Sequence, residues 1–259
     1  MTDRMALLQS VLANPDDDIP RLVYADWLEE FGSDADVARA HFIRAEIEAE
    51  GLPANSPERI EAESTAAKLF NKHGTTWNAE LPNWSAWYDS SFVYRRGFVE
   101  ELRTLCWRFA QEGEEILRAA PITRLKLTIK RSLVSKCNTI DFSRIVCLQL
   151  GLSISSMSYV LTDLNKYFTS LTNLKTLILT NNSISDGDLS GFRLLPRMRF
   201  AETLTELDLS DNRITDAGAW LLATAREMTP IVRLNLSGND IGPDAARALR
   251  NRYGDGLTL

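Results

Sequence analysis

The stretch PDDDIPRLVYADWLEEFG, residues 15–32, holds the densest group of side chains that could do chemistry. Its acidic residues are Asp16, Asp17, Asp18, Asp26, Glu29 and Glu30. Carboxylate oxygens bind divalent cations and can transfer protons, so the stretch is compatible with a metal-dependent hydrolase. That chemistry requires carboxylates that converge from more than one structural element. Acidic residues are also frequent at the start of a helix, where they need no catalytic role.

The spacing of apolar residues in this stretch predicts an amphipathic helix. Asp18 is suited to the N-cap, Pro20 to the first turn and Gly32 to the end of the helix. At roughly 100° per residue, one broad side is predicted to be apolar and to face the core. It consists of Ile19, Val23, Tyr24, Trp27, Leu28 and Phe31. We therefore expect a structural role for Trp27, and we expect the first three aspartates to start the helix.

The remaining acids, Asp26, Glu29 and Glu30, fall on the other side of this predicted helix. The next predicted helix lies in DADVARAHFIRAEIEAE and offers Arg39 and Arg44 as cationic partners. We therefore expect Asp26 to form an ion pair between the two helices, which is a structural role. Whether the acids also contact a partner stays open.

Composition and charge restrict the classes of function. The chain has 259 residues, of which 44% are hydrophobic and 25% charged, as in ordinary soluble globular proteins. Its formal net charge of −6 argues against nucleic acid or an anionic membrane as a general partner, because both favour a basic surface. The N-terminal residues lack a signal-peptide pattern, and no apolar run approaches the length of a membrane span. A cytoplasmic location is therefore expected.

The few cysteines and histidines limit the possible catalytic chemistry. The chain has three cysteines, Cys106, Cys137 and Cys147, and no C-x-x-C motif. An odd number without this motif favours free thiols in a reducing compartment. His41 and His73 have no second histidine or cysteine at ligand spacing. A histidine-based metal site or a Ser-His-Asp triad is therefore disfavoured, which leaves a lone histidine as a possible general base. We predict neither a cofactor nor a metal ion.

The C-terminal half of the chain repeats the pattern L-x-x-L-x-L-x-x-N-x-I. Three full copies are LKTLILTNNSIS from Leu174, LTELDLSDNRIT from Leu204 and IVRLNLSGNDIG from Ile231. Weaker copies begin at Ile122 and Arg144, where Lys130 and Ser153 stand near the asparagine position. In an L-x-L segment, both leucines lie on the same side of the strand and point into the core. The structural asparagines are predicted to bind exposed backbone groups at the end of each strand; they are Asn182, Asn212 and Asn239.

These units resemble the helix-containing leucine-rich repeats of the ribonuclease-inhibitor type over residues 122–259. The resemblance implies an α/β fold, a short right-handed solenoid in which each unit is a strand plus a helix. Parallel strands would form the concave face and helices the convex face. It also implies that the protein binds another protein.

Strand alternation predicts which side chains the concave face presents, because the residues that flank the buried leucines point outward. The candidate partner-binding residues are Arg124, Lys126, Gln149, Thr176, Ile178, Glu206, Asp208, Arg233 and Asn235. Cys147 and Ser210 are expected to point the same way. The predicted face is polar and mixed in charge, and no catalytic set is recognisable in it.

The N-terminal residues resemble a known helical family. The motif RLVYADWLEE followed by FIR, within about residues 6–48, is similar to the repeat-companion domain of planctomycete-type bacteria. That family occurs beside repeats, which matches the organisation of this chain, and the resemblance implies no activity or ligand. We expect a helical domain at residues 1–50 and a repeat solenoid at residues 122–259.

Residues 51–121 are predicted to cap the solenoid. A helix is expected from Ser56 to Gly74, and a hairpin in SFVYRRGFVEEL with solvated arginines, Arg95 and Arg96, at its turn. A further helix should end at Pro121. An aromatic cluster between these elements would cover the open end of the solenoid core or form an exposed binding patch. It comprises Trp77, Trp84, Trp87 and Tyr88.

Three functions are consistent with these patterns. The leading prediction is a non-catalytic protein–protein interaction module or adaptor, monomeric in isolation. The alternative is a regulatory or sensor subunit of a larger bacterial assembly, for example a protease-controlled or defence system. A metal-dependent hydrolase that uses the N-terminal acids is the third.

Overall fold

The computed structural model describes residues 3–82, 90–129, 135–152, 157–228 and 230–259, except the side chains of residues 135, 136, 157–160 and 227. The chain forms two compact units. The first unit comprises Met1–Leu102 and Glu115–Ile122, and the second comprises Arg103–Glu114 and Thr123–Leu259. The domain borders expected after residues 50 and 121 remain predictions.

Four helices and a hairpin form most of the first unit. The helices are α1 (Asp3–Ala13), α2 (Ile19–Phe31), α3 (Asp34–Gly51) and α4 (Pro57–Ala79). The strands are β1 (Ser91–Arg95) and β2 (Phe98–Leu105). The turn between them is Arg96–Gly97, and both residues have a positive φ, as a two-residue hairpin turn requires.

Helix α3 begins with the capping arrangement that its sequence encodes. The Ser33 side chain accepts the backbone N–H of Asp36, and the Asp36 carboxylate accepts the backbone N–H of Ser33. These bonds satisfy helix-end donors that would otherwise lack partners. They lower the pKa of Asp36 below its ordinary value, although partial burial of the carboxyl acts in the opposite direction.

The predicted buried side of α2 is confirmed at Tyr24 and Leu28, and Trp27 packs partly buried against the core, but the prediction is wrong for the other three residues. The helix buries Arg21, Tyr24, Ala25 and Leu28, at spacings of three and four residues. The side chains expected to face the core are instead exposed at Ile19 (67%), Val23 (44%) and Phe31 (63%). The reason is that Arg21 has buried polar partners, so the helix is rotated toward Arg21 and away from Ile19.

Gly74 does not end helix α4, as the sequence predicted. The helix continues to Ala79, since one glycine inside a helix costs only about 1 kcal/mol. A Cβ at Gly74 would lie 3.0 Å from the ring of Phe70, so this position favours glycine for packing. The continued helix carries Trp77, which is 2% exposed and stacks on Phe42 with ring centroids 5.0 Å apart.

A parallel sheet runs through the second unit. Its strands are β3 (Arg124–Ile129), β4 (Cys147–Leu152), β5 (Thr176–Ile178), β6 (Glu206–Asp208), β7 (Arg233–Asn235) and β8 (Leu257–Thr258). Each strand pairs in parallel with the next strand along the chain. The aligned leucines are almost completely buried, at Leu127, Leu150, Leu179, Leu209 and Leu236. The predicted mixed α/β class with a parallel sheet is confirmed.

The segments between the strands are helical but not uniform. The α-helices are α5 (Cys106–Ala119), α6 (Met157–Tyr167), α7 (Asp216–Thr224) and α8 (Pro243–Tyr253). Short 3-10 segments are Ser135–Thr139, Asp188–Arg197, Arg226–Met228 and Gly254–Gly256. Between β5 and β6 the connection is the 3-10 segment that contains Pro196, so the expectation of a strand plus an α-helix in every unit is wrong there. Proline lacks the N–H that an α-helix uses.

Candidate interaction surface of the repeats

Nine outward side chains of the second unit form one surface, which we call the β face. It comprises Arg124, Lys126, Gln149, Thr176, Ile178, Glu206, Asp208, Arg233 and Asn235. All are partly or fully exposed, whereas the leucines between them are buried. The rigid parallel sheet therefore presents these side chains on one side.

The strand register arranges the β face in two rows that cross the strands. The first row is Arg124, Cys147, Thr176, Glu206 and Arg233. The second row is Lys126, Gln149, Ile178, Asp208 and Asn235. Neighbours in a row are one strand apart, about 4.8 Å, so their side chains can interact directly.

The acidic part of the first row is held by its neighbours. Glu206 accepts a hydrogen bond from Thr176 Oγ1 at 3.1 Å. It also forms an ion pair with Arg233, whose side chain remains 64% exposed. The Glu206 carboxylate is thus fixed in position and keeps one cationic neighbour at the solvent boundary.

In the second row, the Asp208 carboxylate accepts hydrogen bonds from uncharged donors. Asp208 accepts Asn235 Nδ2 at 3.1 Å and the hydroxyl of Ser210 at 2.6 Å. The Asn235 oxygen in turn accepts the hydroxyl of Ser237 at 2.8 Å. These contacts order the side chains before any partner arrives, which lowers the entropy lost on binding. The β face therefore carries positive residues on β3 and an ordered acidic region on β6.

Two residues expected to point outward are buried. Cys147 is 4% exposed and lies between Arg124 and Thr176 in its row. Ser210 is 6% exposed because its hydroxyl lies against Asp208 and Thr180. Neither contributes appreciably to the exposed part of the β face.

Three asparagines join successive repeats beneath the strand ends. Asn182 donates to the Leu150 carbonyl at 2.8 Å. Asn212 donates to the carbonyls of Leu179 and Leu209 at 3.0 and 2.9 Å. The equivalent bonds of Asn239 go to the carbonyls of Leu209 and Leu236. Each amide therefore binds backbone groups of its own repeat, the preceding repeat or both, and holds the strands that carry the β face.

The N-terminal acids are engaged in local structure. Asp18 occupies the N-cap position of α2 but makes no capping bond and pairs with Arg96 at 3.2 Å. Asp17 accepts the backbone N–H of Ile19 instead, at 2.9 Å. Asp18 was thus predicted at the right position, but its side chain interacts elsewhere because the hairpin turn brings Arg96 within reach.

The expected ion pair of Asp26 is made by Arg44, with Nη2 2.6 Å from Asp26 and 2.9 Å from Glu29. Arg39, the other candidate, lies over the rings of Trp77 and Tyr94 at 4.9 and 5.1 Å. Among the residues that the structure describes, no group of three or more His, Cys, Asp or Glu side chains could hold a metal ion.

A buried ion network in the first unit was missed by the sequence analysis. Arg21 is fully buried and its Nη2 lies 2.7 Å from Glu100 and 2.7 Å from the Pro15 carbonyl. Arg96, which was expected to be solvated, lies 2.9 Å from the same Glu100 carboxylate. Burial raises the pKa of Glu100 and lowers the pKa of Arg21, while their mutual attraction opposes both changes.

A sequence signal for this network existed. Arg21 stands three, four and seven residues before Tyr24, Ala25 and Leu28, which is the spacing of one helix face. Likewise, Glu100 follows Phe98 by two residues in a strand and therefore shares its inward side.

Trp77 packs within the first unit, against Phe42 and Phe70. The other members of the predicted aromatic cluster, Trp84, Trp87 and Tyr88, lie outside the described residues, as do Lys130 and Ser153. The capping role therefore remains a prediction. None of the helices in the described ranges combines the length and apolar composition needed to cross a bilayer.

The comparisons with known proteins identify repeats in part of the second unit. The family model described as "Leucine Rich repeat" matches residues 170–192, 201–223 and 227–249. Residues 170–249 are therefore leucine-rich repeats. No curated protein matches the chain.

One of the solved structures to which the chain is similar is a protein from Bacteroides fragilis determined in a structural genomics programme. The two are 17% identical, with a TM-score of 0.41 over 54% of this chain and 43% of that chain. This chain thus spans less than half of its length. A likeness at this level carries no conclusion about function.

Proposed function

We propose that the chain is a non-catalytic interaction module whose β face binds another protein. Leucine-rich repeats generally mediate protein–protein interaction and are typically non-enzymatic. The observation that carries the proposal is the pair of rows on the parallel sheet, with positive residues on β3 and a hydrogen-bonded acidic region on β6. This pattern favours a partner surface that places acidic residues opposite β3 and basic residues opposite β6, because electrostatic complementarity gives specificity.

The first unit is proposed to act as an adaptor. The resemblance of residues 6–48 to the repeat-companion domain supports this role, since that family stands beside repeats. The domains would be residues 1–50, 51–121 and 122–259. The buried cysteine thiols at positions 106, 137 and 147 support a reducing, cytoplasmic compartment. We expect a monomer in isolation.

A site-specific photo-cross-linker tests the proposal directly. We would place p-benzoylphenylalanine at Ile178, in the middle of the second row, and irradiate cells of the source organism. The control position is Arg247 on α8, whose side chain is 72% exposed. We expect a protein adduct at position 178 and none at position 247.

A charge reversal then tests whether the β face itself recognises the partner. Asp208→Lys, added to the position-178 cross-linker, should reduce the adduct by about tenfold, because a like-charged contact replaces an attractive one. Thermal melting would verify that the variant folds. Equal adducts at both positions, or an adduct unaffected by Asp208→Lys, would contradict the proposal.

A further inference from the structure

The exposed side of helix α2 carries an apolar and acidic ridge, which we define as Ile19, Val23, Asp26 and Glu30. Spacings of four, three and four residues place these side chains on one line along the helix. Ile19 is 67% and Val23 44% exposed, and the Asp26 side chain is 70% exposed. The ridge is thus apolar toward the start of the helix and acidic toward its end.

Two further apolar side chains of α2 lie beside the ridge. Trp27, four residues after Val23, is half-buried against the core, and its ring centroid lies 5.9 Å from that of Phe31. Phe31 is 63% exposed. Isolated exposed apolar side chains are ordinary, but a connected row of them on one helix indicates a contact surface.

Carboxylates outnumber cations beside the ridge. The single basic residue of α2, Arg21, is fully buried on the opposite side. Exposed carboxylates flank the ridge at both ends, at Asp16, Asp17 and Asp34. Arg44 of α3 reaches Asp26 and Glu29, and the structure shows no cation that pairs with Glu30 among the described residues.

This charge pattern indicates which kind of partner can bind to the ridge. A second copy of the same ridge would bring carboxylates against carboxylates, and an anionic lipid surface would be repelled in the same way. A basic amphipathic helix would instead place its apolar residues on Ile19 and Val23 and its lysines or arginines beside Asp26 and Glu30. Helices recognise one another through such i, i+3, i+4 and i+7 rows.

We propose that the ridge of α2 is a docking site for a basic amphipathic helix of a partner protein. The site lies in the first unit and is independent of the β face. The partner helix carries apolar residues at the ridge's Ile19 end and lysine or arginine residues at its Glu30 end. Because part of the attraction is between exposed charges, the affinity falls as the salt concentration rises.

Two synthetic peptides test the site on the full chain. Both contain only leucine and lysine in the same proportion, and both are about 18 residues long, since shorter helices are marginal in water. One has its leucines at the helical period and the other has them shuffled. Fluorescence anisotropy of the labelled peptides should show about tenfold tighter binding of the amphipathic one.

Variants locate the binding on α2. Val23→Ser and Glu30→Lys should each weaken binding of the amphipathic peptide by about tenfold, as expected for a central contact. The matched controls are Ile60→Ser and Glu58→Lys on α4, which replace an exposed apolar and an exposed acidic residue elsewhere in the first unit. Asp208→Lys, which alters the β face, should also leave binding unchanged, so failure of the two proposals can be told apart.

Several outcomes would overturn the docking site. Equal binding of the two peptides would show that the binding is only a general attraction of basic peptides to an acidic surface. Loss of affinity in the α4 controls to the same degree would place the binding elsewhere, and no binding at millimolar peptide would exclude it. A dimer that Val23→Ser abolishes, measured by sedimentation, would instead identify a second copy of the chain as the occupant.

Discussion

The side-chain oxygen of Asn212 accepts a hydrogen bond from the backbone N–H of Asn182, 30 residues earlier, at 2.9 Å. The same oxygen accepts the backbone N–H of Ile184 at 3.0 Å. Because Asn212 is 8% exposed, water cannot readily replace it as the partner of these groups. One amide therefore fixes the turns of two consecutive repeats.

Asn212→Ala is expected to lower the free energy of unfolding by about 1–3 kcal/mol, since buried backbone donors and acceptors lose their partner. Urea unfolding followed by circular dichroism measures the change. Asn251→Ala provides a control, because Asn251 is exposed on α8 and alanine favours a helix. An unchanged midpoint for Asn212→Ala would mean that this bond network does not stabilise the repeats.

The repeat part of the fold was predictable because its pattern has few structural solutions. Leucines at alternate positions, followed by asparagine at a fixed distance, require a strand and then a turn with unsatisfied backbone groups. Aligning the copies also placed the outward residues, such as Ile178 and Asp208, in equivalent positions. The burial of Cys147 could not be predicted this way, because alternation along a strand does not report how the side chains around it pack.

The orientation of α2 was not predictable from hydrophobicity alone. That measure favours Ile19 over Arg21 as a core residue, yet Glu100 and the carbonyl of Pro15 satisfy the arginine inside the unit. The spacing of Arg21 with Tyr24, Ala25 and Leu28 indicated the buried side, but the partner Glu100 lies in another part of the sequence. Gly74 shows a different limit, because one glycine costs too little to end a helix that continues to Ala79.

Arg21→Met is expected to destabilise the first unit by about 3–5 kcal/mol, because the Glu100 carboxylate loses a cationic partner in a buried site. Chemical unfolding of the single and double variants, with Glu100→Gln as the second change, measures the effect. The double variant should recover part of the loss, since a neutral amide then replaces the buried carboxylate that lost Arg21 as a partner.

An exposed ion pair serves as the comparison for that experiment. Arg247→Met removes the pair with Asp244, whose side chains are 72% and 77% exposed, and should cost less than about 1 kcal/mol. If Arg21→Met cost no more than Arg247→Met, the buried pair would not contribute to the stability of the first unit.

Asp26→Asn is expected to have a small effect, less than about 1 kcal/mol, because its pair with Arg44 is largely exposed. The same variant tests the hydrolase alternative. Calorimetric titration with calcium and magnesium should give no binding tighter than about micromolar in either protein. Tight binding that disappears in Asp26→Asn would favour a metal-dependent activity of the acidic stretch.

Glu46→Gln is expected to change how stability depends on pH. Burial raises the pKa of Glu46 above a glutamate's ordinary value of 4.5, although the backbone N–H of Gly97 donates to the carboxylate at 2.8 Å and opposes the shift. As the pH rises above 4.5, the unfolded chain therefore loses this proton before the folded chain does. The folded state binds more protons in this window, so the natural protein loses stability there.

The glutamine variant has no such proton and keeps an oxygen that accepts from Gly97. Its stability relative to the natural protein should therefore increase as the pH rises from the ordinary glutamate value through the raised pKa, and then become constant. Urea unfolding across this pH range gives the difference, and Glu48→Gln, an exposed change on the same helix, should give a smaller dependence. An identical pH profile for both variants would show that Glu46 ionises alike in the folded and unfolded chain.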